Sequence, residues 1–312
     1  MQRRLSKRGF LVVLSAGALS FSLAACGSPA VMLPPSADFY VLDLSDSGKA
    51  EDQFERISED VLRSLTRNSL GQPFSKDGEE PFGPRVTTFS FVGNNSRFLK
   101  TFQLQDFEKV SQLYDIVKED PRAQNSWDKL TTTYQDIVEP QLSSTSNDIF
   151  TSISCKKSFD DELKDYFSGE ATRSDLVDKL CQMATYTVSK YGELASYIKF
   201  EKNRHTMSDV FGAIESVNNS IESIKEKNPE SIIRLSLATD GENYLGSGSK
   251  LNMSSVLAGK DSCVAGQEMF NQLAAKSLRG IDVELPGIGA LLGNKAEYAS
   301  QIDKFWRCFF DI

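Results

Sequence analysis

The chain is poor in the groups that most enzymes and zinc proteins depend on. Its 312 residues include one histidine, His205. No credible Ser-His-Asp set can be assembled around a single imidazole, and the five cysteines follow no zinc-binding spacing. Long apolar runs are also missing. Beyond the N-terminal segment none approaches the roughly 18 residues that a membrane-spanning helix needs. Positive charge is in deficit, with 35 Lys and Arg against 43 Asp and Glu for a net charge of −8. Such a chain has no electrostatic basis for non-specific nucleic-acid binding and no polybasic patch for anionic lipid. No internal repeat is present. A composition of 40% hydrophobic and 25% charged residues suits a folded body of one or two domains.

The first residues have a different character. Arg3, Arg4, Lys7 and Arg8 precede the apolar stretch Phe10–Leu23. At about 14 residues this stretch has the length of a signal-peptide core. It runs into Leu23-Ala24-Ala25-Cys26-Gly27, which resembles the bacterial lipobox. The resemblance implies cleavage of residues 1–25 and acylation of Cys26. Residues 26–37 then form a lipidated tether, small and proline-containing. The expected location is extracytoplasmic, lipid-anchored to a bacterial membrane. Losing four cations and no acid takes the net charge of −8 to about −12. An oxidising compartment suits two disulfides among Cys155, Cys181, Cys263 and Cys308. Three pairings are possible; Cys155–Cys181 with Cys263–Cys308 is favoured, because each then staples one region.

Residues 38–312 read as one α/β domain interrupted at about 105–200 by a polar helical block. Phe39–Leu42 reads as a strand buried on both faces. A helix follows with Phe54, Ile57, Val61 and Leu65 on its apolar face. Val86–Val92 and Arg97–Leu104 read as a hairpin. Within the block, Trp127, Leu130, Tyr134 and Ile137 mark one helix. Leu176, Leu180 and Met183, then Tyr191, Leu194 and Ile198, mark further helical spacing, with Thr172 and Asp175 as a capping box opening the last helix. Val210, Ile214, Val217, Ile221 and Ile224 stripe the next helix. Ser231–Ala238 reads as a strand, Cys263–Ser277 as a helix, and Ile281–Ala290 as a strand and glycine-rich loop. Phe305, Trp306, Phe309 and Phe310 lie on a closing amphipathic helix and read as core. Strand–helix alternation with apolar strands predicts a Rossmann-like doubly wound, mostly parallel sheet.

Ligands of such sheets bind beyond the carboxyl ends of the strands. Asp43 and Asp240 stand at two of those ends, each near hydroxyl or acidic residues and glycine. Carboxylates and hydroxyls without nearby His or Cys suit a hard cation, Mg²⁺ or else Mn²⁺ or Ca²⁺. Asp43-Leu44-Ser45-Asp46-Ser47, Thr206 ahead of the striped helix, and Thr239-Asp240-Gly241 together resemble the metal-ion-dependent adhesion site of the von Willebrand factor type A (vWA) domain. The likeness covers roughly 38–104 and 201–312 and implies metal ligands Asp43, Ser45, Ser47, Thr206 and Asp240. It also implies a protein partner whose Asp or Glu side chain completes the coordination, and no catalysis, since no general base is placed to activate water.

Asp43 and Thr206 lie further apart than the family places them, and the helical block accounts for most of the excess. That block either shapes the binding surface or packs on a side face. His205 reads as a surface loop residue, and Asp46 and Glu242 as solvated acids. Other functions stay in view: a structural subunit of an envelope assembly whose metal only orders loops, and, behind it, a metal-dependent hydrolase. The latter recipe wants an acid two residues after Asp43, where this chain has Ser45.

Overall fold

The computed structural model describes residues 36–45, 49–71, 85–105, 107–120, 122–143, 152–202, 204–288 and 295–312. Cys26 and the segments read as signal and lipidated tether up to residue 35 lie outside the described residues, as do Asp46 and Ser47. Strand β1 (Ser36–Asp43) leads into helix α1 (Ala50–Leu65) and strand β2 (Arg85–Val92). Strand β3 (Phe102–Gln103) precedes four helices: α2 (Phe107–Val117), α3 (Ala123–Ser143), α4 (Ser152–Leu163) and α5 (Glu170–Glu201). Then come α6 (Val210–Lys227), β4 (Ile232–Ala238), α7 (Met253–Leu257), α8 (Ser262–Gln272), β5 (Asp282–Glu284) and α9 (Ala296–Phe310).

The strands form one sheet in the order β3-β2-β1-β4-β5. All pairings are parallel except β2 with β3. This is an α/β fold with a mostly parallel mixed sheet, compatible with a Rossmann-like arrangement. β1 lies at the centre and all eight of its residues are buried, which is why its sequence lacks the polar alternation of a half-exposed strand. Tyr40 and Leu42 face α1 and the helices α2 to α5, in a core that includes Phe89, Phe91, Trp127 and Tyr134. Phe39 and Val41 face the opposite way, toward α6, α8 and α9. The block between β3 and α6 therefore packs on the α1 face of the sheet, and α5 reaches the loops described below through Glu193 and Glu201.

Several boundaries differ from the sequence reading. The second arm of the hairpin shrinks to Phe102–Gln103, because Ser96–Phe98 close a 3₁₀ turn instead of extending. Leu176 to Ile198 belong to one helix, α5, which starts at Glu170. Thr172 and Asp175 are inside it rather than capping it, since Arg173 N already donates to Gly169 O at 2.9 Å. Arg234 and Ser236 tolerate a buried strand for separate reasons. Arg234 meets Asp282 at 3.4 Å on the neighbouring strand, while Ser236 is small enough to be buried at 3% exposure.

The cysteines pair as Cys155–Cys181 and Cys263–Cys308, with Cα separations of 5.6 and 5.0 Å. The first joins α4 to α5 and the second joins α8 to α9. Gly266 lets those last two helices touch, since a Cβ there would lie 2.4 Å from the Phe305 carbonyl oxygen. Phe305, Trp306, Phe309 and Phe310 are all buried in that contact, as their helical spacing predicts. Among the described residues no helix is long and apolar enough to cross a membrane.

Candidate functional site

From β1 the chain crosses to β2 on one side, and later reaches β4 on the other. In open α/β sheets such a switch point, here between the carboxyl ends of β1 and β4, is where a ligand crevice forms. Asp43 ends β1, and Thr239 and Asp240 follow β4. Register places Leu42 beside Ala238, so these polar residues meet across the crevice. Thr239 Oγ1 donates to Asp43 Oδ2 at 2.7 Å, and Ser45 N donates to Asp43 Oδ1 at 2.9 Å. Asp43 is wholly buried and Asp240 is 1% exposed. Burial pushes the Asp43 carboxyl up to about 6, against the pull of hydrogen bonds from Ser45 and Thr239; the charge of Asp240 adds to the rise.

The loop before α6 supplies the third side. His205 pairs with Ser45 as a parallel bridge, and Ser208 Oγ donates to Ser45 Oγ at 2.7 Å. Thr206 sits in the same loop but is exposed, so the hydroxyl brought directly against Ser45 is that of Ser208. The loop bends at Thr206 and Met207 between its two isolated bridges. Either hydroxyl of His205-Thr206-Met207-Ser208 was available from sequence, and only the packing separates their roles. Asp43, Ser45 and Asp240 gather at the crevice, and Thr206 stands at its outer rim.

His205 is not the surface residue its loop position suggests. It is 8% exposed, and Nδ1 accepts from Asn94 N at 3.2 Å. Its Nε2 is buried 3.3 Å from Glu201 Oε2 but not aligned for a hydrogen bond. Gly93 makes room for the ring, as a Cβ there would come within 2.8 Å of Nδ1. Asn94 Oδ1 in turn accepts from Met207 N at 2.9 Å. Glu242 is half-buried rather than freely solvated, and accepts from Tyr298 Oη at 3.3 Å. Burial and that acid together raise the Tyr298 hydroxyl well above the usual tyrosine range.

Two further residues, Asn243 and Trp306, lock this region and carry no sequence motif. Asn243, fully buried, accepts from Phe211 N at 3.0 Å and donates to Leu251 O at 2.8 Å. It thereby ties the post-β4 loop to the start of α6. Asn243→Ala leaves both groups unpaired and is expected to cost about 2 kcal/mol in a urea unfolding titration. Gly241 adopts φ +82°, and a Cβ there would collide with Ile288, Trp306 and Ile302 at 2.7–2.9 Å. Its carbonyl accepts from Trp306 Nε1 at 2.9 Å, so the turn that carries Asp240 is pinned by α9.

Among the described residues no group of three or more His, Cys, Asp and Glu side chains gathers as a metal-ligand set. What the crevice does offer is oxygen chemistry: two buried carboxylates that repel each other, and hydroxyls from Ser45, Ser208 and Thr239. Both carboxylates accept hydrogen bonds, Asp43 from Ser45 N and Thr239 Oγ1 and Asp240 from Glu242 N at 2.9 Å, yet two acids buried side by side still repel, and a small divalent cation would relieve that repulsion. No family model, curated protein or solved structure matches the chain.

Proposed function

We propose that the chain is a bacterial lipoprotein, anchored outside the cytoplasm through Cys26, whose α/β domain is a vWA-like module that binds a protein. Binding would go through Mg²⁺, or Mn²⁺ or Ca²⁺, held by Asp43, Ser45, Ser47, Thr206 and Asp240. The observation that carries this reading is the meeting of Asp43, Ser45 and the Thr239-Asp240 pair at the crevice beyond the sheet's carboxyl edge. These residues come from segments nearly 200 positions apart, and the set is all oxygen. A bound cation would leave a position for one carboxylate oxygen of the partner. Among the described residues of the set Thr206 is the exposed one, so a partner would approach from that side. Ser208 would hold the Ser45 hydroxyl in place.

The decisive experiment is crosslinking and pull-down from cells in Mg²⁺ against EDTA, with wild type and Asp43→Ala. The expected outcome is loss of the partner in EDTA and in the variant. Recovery of the same partner under both conditions sinks the metal-bridge mechanism. In parallel, Mg²⁺ at 100 times its dissociation constant is expected to stabilise the purified domain by about 2.7 kcal/mol, read as a rise in melting temperature that Asp43→Ala does not show. If EDTA lowers the melting temperature while the complex stays intact, the cation only orders loops and the domain is a structural subunit.

A further inference from the structure

The chain enters the fold at one edge of the sheet and carries the candidate site at the other. Ser36, the first residue of β1, pairs with Arg85 and Ile232, the first residues of β2 and β4. At the far end Asp43 pairs with Val92, the last residue of β2. At about 3.3 Å per residue these two edges stand about 23 Å apart along β1. Since β1, β2, β4 and β5 run parallel, each gives its start to the amino edge and its end to the carboxyl edge. The other candidate residues belong to the carboxyl edge as well. Asp240 follows β4 there, and Ser45 bridges His205 of the Thr206 loop.

Ten residues lead from Cys26 to Ser36. Covalent geometry limits them to about 36 Å when fully stretched, whatever conformation they take. A flexible coil of that length spans about 18 Å on average. A folded body of about 275 residues has a radius of gyration of about 19 Å, which for a sphere means a diameter of about 48 Å. Turning the carboxyl edge onto the membrane would put Ser36 on the far side of the body, about 48 Å above the lipid. Ten residues cannot span that height. Tipping onto a side face is within their reach, and inversion is not.

We propose that the carboxyl edge faces away from the membrane that holds Cys26, and that the carboxylate taken at Asp43, Ser45 and Asp240 belongs to a folded domain standing clear of that membrane. The inference rests on the lipid anchor of the reading above and not on the bound cation. It removes two classes of ligand that a hard cation would otherwise accept: phospholipid headgroups of the anchoring leaflet, and short loops lying on the surface of the same membrane. A soluble protein fits, and so does a neighbour whose domain rises about as high as this one.

The test measures height above the membrane. The chain with its own signal is produced in bacterial cells, purified with its anchor and reconstituted into vesicles of phosphatidylglycerol and phosphatidylcholine. Single dyes are attached through Ile232→Cys at the amino edge or Phe98→Cys in the turn after β2. Both positions are exposed, at 48% and 83%, and the four native cysteines of the fold are already paired. Energy transfer to acceptor lipids reads each distance. The dye at 98 should stand about 15–20 Å farther from the lipid than the dye at 232. Inserting about 30 Gly and Ser residues after Gly27 lifts the reach to about 140 Å and should erase most of the difference. A dye at 98 as close to the lipid as the dye at 232 overturns the orientation. A difference that survives the insertion unchanged overturns the tether as its cause. A wild type that stays out of the vesicles, as Cys26→Ser should, removes the lipid anchor and the orientation with it, and leaves the cation reading standing.

Discussion

Trp306→Ala is expected to lower the unfolding free energy by about 3–5 kcal/mol, the range for deleting a fully buried large ring. Trp306 has no exposed surface and packs against Phe211 at 5.7 Å, Phe309 at 5.3 Å and Phe310 at 5.9 Å between ring centroids. Truncation removes those contacts and leaves the Gly241 carbonyl without its indole donor. The loss extends beyond stability. Gly241 follows Asp240 directly, and Trp306 is what holds that turn from the α9 side. Mg²⁺-induced stabilisation is therefore expected to weaken in Trp306→Ala even at temperatures where the variant stays folded. Trp306→Phe, which keeps a ring and loses the N–H, should cost less. Urea unfolding with and without Mg²⁺ reads both effects. A Trp306→Ala variant with full stabilisation by Mg²⁺ would separate α9 from the crevice and refute the coupling.

Asp43→Asn is expected to stabilise the metal-free protein at neutral pH while abolishing its response to Mg²⁺. Burial raises the Asp43 carboxyl from 3.8 to about 6. An acid raised in the folded state favours folding fully below its unfolded value, near pH 4. That contribution is lost as pH rises through about 6, a swing of roughly 3 kcal/mol. At pH 7.5 the wild type thus carries an ionised buried carboxylate that the asparagine variant lacks. Asparagine cannot accept well from both Ser45 N and Thr239 Oγ1, which costs about 1 kcal/mol. The net gain is then about 1–2 kcal/mol. As pH falls through about 6 that gain should shrink and then invert, leaving the asparagine variant about 1 kcal/mol less stable near pH 4, where the folded Asp43 is protonated. A cation reverses the sign: it competes with the proton, so stabilisation by Mg²⁺ should be full above pH 7 and fade below about 6. Urea unfolding of both proteins from pH 4 to 8, with Mg²⁺ and with EDTA, tests this. A pH-independent gap would show that Asp43 is not the group responsible.

Much of the fold is legible in the chain because burial leaves a periodic record. The apolar positions of α1, α6 and α9 repeat at helical spacing, and β1 and β4 are short apolar runs. The disulfides follow from four cysteines that fall into two regions. Other features leave no such record. Nothing local distinguishes Arg97–Leu104 as a turn with a two-residue strand, since its apolar residues suit a strand equally well. Thr172 and Asp175 have capping chemistry wherever they stand, and only the backbone ladder from Gly169 shows that α5 has already begun before them.

The site divides the same way. Asp43, Ser45 and Asp240 could be named from sequence because residue type and position at a strand end are both local properties. That Thr239 donates to Asp43, that Ser208 rather than Thr206 touches Ser45, and that His205 is buried against Gly93 are decided by which loops pack together. Asn243 and Trp306 carry no motif; their importance comes from a buried carbonyl or amide that each satisfies far along the chain. By itself the sequence determined an acidic α/β chain with carboxylates waiting at two strand ends. Only the tertiary structure brought those ends together and set Thr239 against Asp43 and Ser208 against Ser45. The physical reason is that hydrophobic periodicity is written residue by residue, whereas hydrogen-bond partners and exposed neighbours are chosen by the closure of the whole fold.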